Sequence, residues 1–105
     1  HAKLIAPDTG LIRTGRMQRL AADIAGTNWA LLPTAAGFID PLHSTGNSHT
    51  LIGLERLLTI LEHDWARDTQ PAALAEYARL TRLELLRIDR IVAGCYRHFA
   101  DFPRM

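Results

Sequence analysis

From about residue 45 onward the apolar residues recur at helical spacing. Leu51, Leu54, Leu58, Leu61 and Trp65 follow one another at steps of three and four, and Ile52 and Leu57 widen the stripe. Arg56, Glu62 and His63 fall on other parts of the surface. The pattern predicts an amphipathic helix over roughly 46–67. Asp68-Thr69-Gln70-Pro71 then gives a break and a new start, because Asp68 or Thr69 can cap and proline suits a first helical turn. A second helix is predicted over roughly 71–100. Its buried stripe is Leu74, Tyr77, Ala78, Thr81, Leu85, Ile88, Ile91 or Val92, Cys95 and Phe99, with Gly94 as a weak spot and Pro103 as the stop. The short connection predicts that the two helices pack as an antiparallel pair.

The first part of the chain reads differently. "LIAP" and "GLIRTG" predict short strands about a turn at Pro7-Asp8-Thr9-Gly10. "MQRLAADIAGTN" is ambiguous, since its alanines allow a helical turn, and Gly26-Thr27-Asn28 ends it. "WALLP" predicts a buried strand closed by Pro33. The fold class is therefore mostly α with a few short N-terminal strands, an α+β arrangement. Residues 1–45 supply strands and a loop, residues 46–105 supply the helices, and the whole forms one compact unit.

Composition narrows the partners more than the chemistry. The 105 residues are 48% hydrophobic and 22% charged, with a formal net charge of +1. No global field points to nucleic acid or to a membrane surface, and no apolar run is long enough to span a bilayer. Cys95 is the only cysteine, so no internal disulfide forms, and a cytoplasmic location is the expectation. The chain opens His1-Ala2-Lys3 without an initiator methionine, which fits a processed end or a piece of something longer.

The chemistry concentrates in "AAGFIDPLHSTGNSH", residues 35–49. A helix start exposes backbone N–H groups without intrahelical partners, and the helix dipole adds partial positive charge there. Ser44, Thr45 and Asn47 can cap from the side, and Gly46 admits another molecule close to the backbone. Asp40-Pro41 fixes a corner just before. Capping alone accounts for such a pattern, which is common at helix starts; a seat for an anion or an electron-rich carbonyl is the second reading.

The segment "GFIDPLHSTGNSHTLIGLERL" resembles the C-terminal cofactor segment of flavin-dependent halogenases, tryptophan halogenase-like proteins, and their FAD-dependent monooxygenase relatives. Phe38, Pro41, Ser44 and Gly46 match the family pattern F-x-x-P-x-x-S-x-G at the right spacing. "RTGRMQR" and "ELLRIDRIVAGCYRHF" resemble the flanking stretches, so the likeness runs from about residue 11 to about residue 100. The resemblance implies a fragment of an FAD/NAD(P)-binding α/β flavoprotein fold. It also implies that Ser44, Thr45, Gly46 and Asn47 line the flavin of a bound FAD or a halide, and that Asp40 and Pro41 shape the loop. Reduced flavin carries negative charge at N1 and O2, which a helix N-terminus stabilises.

The departures from the family are informative. Pro33 and Thr34 stand where a Gly-Asp pair is usual, and only the Thr34 hydroxyl is left to meet a ribityl chain. No G-x-G-x-x-G dinucleotide fingerprint occurs in the chain. The halogenase Trp-x-Trp-x-Ile-Pro motif is absent, and the one lysine, Lys3, has no matching context, so no catalytic residue is assigned. The expectation is the C-terminal portion of an FAD-dependent oxidoreductase, inactive alone. Its partners would be the remainder of the flavoprotein chain and a small organic substrate.

Other readings carry less. His43 and His49 flank the motif without a recognised metal spacing, so no metal site is assigned; His43 near a flavin could act in proton transfer. Cys95 lies on the apolar stripe without a clear base nearby. The arginines of the second helix are balanced by acids, which disfavours nucleic acid. The alternative function class is a stand-alone helical dimerisation or interaction module without cofactor. In either class, exposed apolar helix surface would favour a homo-oligomer.

Overall fold

The structure, a computed structural model, describes residues 18–40 and 42–99, with the side chain of His43 also left outside. The strands expected in "LIAP" and "GLIRTG", Pro41, and the last residues of the chain lie outside the described residues. The elements in order are strand β1 (Arg19–Leu20), a single helical turn α1 (Pro33–Ala36), strand β2 (Gly37–Phe38), a 3-10 turn (Leu42–Ser44), and the long helices α2 (Thr45–His63) and α3 (Gln70–Phe99). The chain is mostly helical with a minimal antiparallel sheet, as its periodicity predicts.

The two short strands pair with Arg19 opposite Phe38 and Leu20 opposite Gly37. The backbone N–H of Ala21 extends the pairing by donating to the Ala36 carbonyl at 2.7 Å. The "MQRLAADIAGTN" segment thus holds a strand rather than a helical turn, and Gly26 does end it. The Gly26 N–H donates to Trp29 O and the Leu31 N–H donates to Ile24 O, folding residues 24–31 into a narrow hairpin with an Ala25–Ala30 bridge. The buried strand expected at "WALLP" reduces to that bridge. Leu32 is extended, as a residue before proline must be, and Pro33 opens α1 instead of closing a strand.

Helix α3 buries Leu74, Tyr77, Thr81, Leu85 and Val92, which is the predicted stripe apart from its ends. Ile91 and Phe99 face outward. Together with Ile24, Ala36 and Ile60, the α3 residues Leu74, Tyr77 and Leu85 form the core. The Tyr77 hydroxyl donates to the Leu31 carbonyl at 2.8 Å, and Arg82 donates to the Ala21 carbonyl at 3.1 Å. These bonds tie the hairpin to α3 and satisfy carbonyls that its strands leave open.

Helix α2 departs from expectation. It buries His49, Gly53 and Ile60, whereas Leu51, Leu58, Leu61 and Trp65 are 68%, 58%, 54% and 41% exposed. The reason lies at Gly53. A Cβ built there would meet Pro33 Cγ at 2.2 Å, so only glycine lets α1 sit on the helix. That contact selects the narrow His49–Gly53–Ile60 face and turns the leucine stripe away. The helix also stops at His63, short of the predicted end. Ala66 adopts a left-handed conformation (φ 60°) and its N–H donates to Gln70 Oε1 at 2.7 Å. The reversal runs α3 back antiparallel to α2. Ile60 therefore meets Leu74 near the turn, while His49 meets Glu84 further along.

Candidate functional site

The loop between β2 and α2 is held by a single carboxylate. Asp40 Oδ1 accepts the backbone N–H of Leu42 at 2.8 Å, closing an Asx-type turn. Its Oδ2 accepts the Tyr96 hydroxyl at 3.1 Å, which anchors the turn to α3. The bond to Asp40 holds the Tyr96 phenol above its ordinary pKa.

The chain then turns into α2 through Ser44, whose backbone is left-handed (φ 53°, ψ 30°). Ser44 makes no side-chain capping bond. The capping role read from sequence is therefore not realised at Ser44, whose left-handed backbone departs from the extended backbone of a capping residue. The Thr50 hydroxyl bonds backward to the Gly46 carbonyl at 2.7 Å. Ser44 thus gives the first-turn N–H groups no side-chain acceptor.

A cleft of about 390 Å³ opens at this helix start. Thr34 and Gly37 through Asp40 line one side, Ser44 through Asn47 with His49 and Thr50 line another, and Leu85 and Ile88 of α3 form the apolar floor. Asp40, Ser44, Thr45, Gly46 and Asn47, expected from sequence to face a cofactor, all border it. Pro41 lies outside the described residues. Thr34 also borders the cleft, and its carbonyl accepts from Arg19 at 3.3 Å. A Cβ at Gly46 would meet nothing within 4 Å, so the space beside it is open to a ligand.

His49 was not marked by the motif. Only 6% exposed, it borders the cleft one helical turn beyond Thr45. Its Nδ1 lies 3.2 Å from Glu84 Oε2, and Glu84 Oε1 lies 2.7 Å from Arg56 Nη2. Thr45 and His49, which line this cleft and also a second cavity with Ser48, Ile52 and Arg87, each carry a buried atom, Oγ1 and Nε2, with no hydrogen-bond partner among the described residues. Buried polar groups are normally satisfied, so both are suited to meet a bound molecule. The sequence signal for His49 was the i, i+4, i+11 series His49–Gly53–Ile60, hidden beneath a stronger leucine pattern. Among the described residues no group of three or more His, Cys, Asp or Glu side chains could hold a metal ion.

Residues 3–100 match the tryptophan halogenase family. The chain belongs to the tryptophan halogenase family. Within it, the chain is similar to tetracycline 7-halogenase of Kitasatospora aureofaciens, at 32% identity over 88% of this chain and 17% of that protein. It is also similar to monodechloroaminopyrrolnitrin halogenase PrnC of Pseudomonas fluorescens, at 33% identity over 87% of this chain and 16% of that protein. The chain thus spans about one sixth of the length of these halogenases. No solved structure matches it. No helix among the described residues is long and apolar enough to cross a membrane.

Proposed function

We propose that this chain is the C-terminal portion of an FAD-dependent, halogenase-like oxidoreductase, and that it brings the N-terminus of α2 to the flavin. The observation that carries this reading is the cleft itself. A helix start that Ser44 does not cap, an open Gly46, and Thr45 and His49, each with a buried polar atom unpartnered among the described residues, border one cleft together with Leu85 and Ile88. Donors along one wall suit the carbonyl-rich, anion-forming pyrimidine edge of a flavin, and Leu85 and Ile88 suit its flat apolar body. When bound, FAD supplies the reactivity toward O2 by which an organic substrate is halogenated or oxygenated. The chain's own residues bind and orient it. Asp40 holds the loop, Ser44 sets the angle of the helix start, and Thr45, Gly46 and Asn47 form the contact surface.

The exposed α2 stripe of Leu51, Leu54, Leu58, Leu61 and Trp65 supports the same reading. So much contiguous apolar surface calls for cover. The remainder of the flavoprotein chain provides it, and this segment alone has no turnover. The stripe would equally serve a helical dimer, the alternative without cofactor.

Gly46→Leu separates the two readings. The new side chain enters open space, so the intact protein keeps its thermal stability while the flavin seat is filled. FAD affinity of the apoprotein, read by quenching of flavin fluorescence, should fall about tenfold or more. Stoichiometric FAD held by the variant at wild-type affinity would overturn the assignment.

A further inference from the structure

We propose that His49 is the acceptor that reads the imide N3–H of the flavin ring. This rests on the flavin reading of the cleft and adds to it a residue and a polarity. Glu84 is a carboxylate and can only accept, so the Nδ1 that faces it carries the ring proton. Arg56 Nη2 pairs with the other oxygen of Glu84 at 2.7 Å. In the single-proton form we assign to the ring, that proton sits on Nδ1 and Nε2 is an acceptor, buried and without a partner among the described residues, on a side chain that lines the cleft.

A wall made only of backbone N–H donors would suit any anion. A lone pair among those donors does not, because it repels negative charge. The combination matches a planar edge that presents acceptor, donor, acceptor in sequence: a carbonyl, an N–H, and a second carbonyl. The flavin pyrimidine edge has that order at C2=O, N3–H and C4=O. Thr45, whose hydroxyl is likewise buried without a partner one turn earlier on the same helix face, can give to a flanking carbonyl. His49 is thus a positioning residue that selects an imide ring over a simple anion.

The test compares FAD with 3-methyl-FAD, in which the N3–H is replaced, on the intact apoprotein. Wild type should bind the methylated cofactor about tenfold or more weakly, the weight of one hydrogen bond plus a displaced neighbour. His49→Ala should lose about tenfold in FAD affinity and no longer disfavour 3-methyl-FAD. ¹⁵N spectra of the imidazole in the wild-type FAD complex, which require no variant, should show the proton on Nδ1. Equal affinity of wild type for the two cofactors, unchanged discrimination in a folded His49→Ala protein, or a proton on Nε2 would each overturn the inference and leave the flavin reading standing. If wild type takes up neither cofactor, the flavin reading falls and this inference falls with it.

Discussion

His49 Nδ1 lies 3.2 Å from Glu84 Oε2, and this bond joins the cleft end of α2 to the middle of α3. Glu84 is also the partner of Arg56 at 2.7 Å, so one carboxylate serves two basic side chains of the same helix. Glu84→Ala should therefore strip both at once and leave polar nitrogens unpaired in a partly buried seam. The expected loss is about 1–3 kcal/mol, seen as a lower Tm of the intact protein. Glu84→Gln keeps an acceptor oxygen and should lose less. A Glu84→Ala protein that melts with wild type would mean that the seam is held by apolar packing alone.

Two glycines on the long helices should respond to the same substitution with opposite sign. At Gly53 the new Cβ would lie 2.2 Å from Pro33 Cγ, so Gly53→Ala must push α1 off the helix. The overpacking cost of about 1–3 kcal/mol exceeds the helix-propensity gain of about 1 kcal/mol. At Gly94 a Cβ meets nothing within 4 Å, so Gly94→Ala should keep the propensity gain of about 0.5–1 kcal/mol. Paired thermal melts of the two variants decide it, and equal shifts would contradict the close approach of α1.

Tyr77 gives a pH signature. Burial raises its phenol above the ordinary value of 10.0, and its hydroxyl donates to the Leu31 carbonyl at 2.8 Å. A raised pKa in the folded state means that the neutral form is the stabilising one. Its contribution is full below the unfolded value of about 10 and is lost as pH rises toward and through the folded value. Stability should fall above about pH 10, and Tyr77→Phe should remove that part of the alkaline loss. The same substitution should cost about 1–2 kcal/mol at neutral pH, because it leaves the Leu31 carbonyl without its donor. Urea titrations at pH 7 and in alkaline buffer measure both effects.

The helices were legible in the sequence because α3 follows its own apolar period. Leu74, Tyr77, Thr81 and Leu85 are buried where a period of 3.6 residues puts them. Helix α2 was legible as a helix but not in its orientation. Its strongest apolar stripe faces out, and the buried face runs through His49 and Gly53, residues that no hydrophobic pattern marks. The reason is non-local: Pro33, twenty residues earlier, settles which face can pack. That Asp40 and Ser44 through Asn47 gather at one loop and helix start was legible because turn and helix-start chemistry is local in sequence. Ser44 shows the limit of that reasoning. A serine before a helix predicts a side-chain cap, but the left-handed turn at Ser44 makes none. Glu84, which orients His49 across 35 positions, could not be paired with it from one sequence.

The outward stripe of α2 supplies the last prediction. Leu58 is 58% exposed and Leu61 is 54% exposed on this chain. If the rest of the proposed flavoprotein covers them, Leu58→Glu in the intact protein buries an unpaired carboxylate at an apolar contact. Its Tm should then drop as for a core charge, by an equivalent of about 2–4 kcal/mol. If the stripe faces water in the intact protein, the same change should stay within about 0.5 kcal/mol of wild type. Sedimentation of the wild-type intact protein separates cover by the same chain from cover by a second copy. A monomer whose stability still depends on Leu58 places the cofactor domain on α2, whereas a dimer that Leu58→Glu dissociates assigns the stripe to self-association.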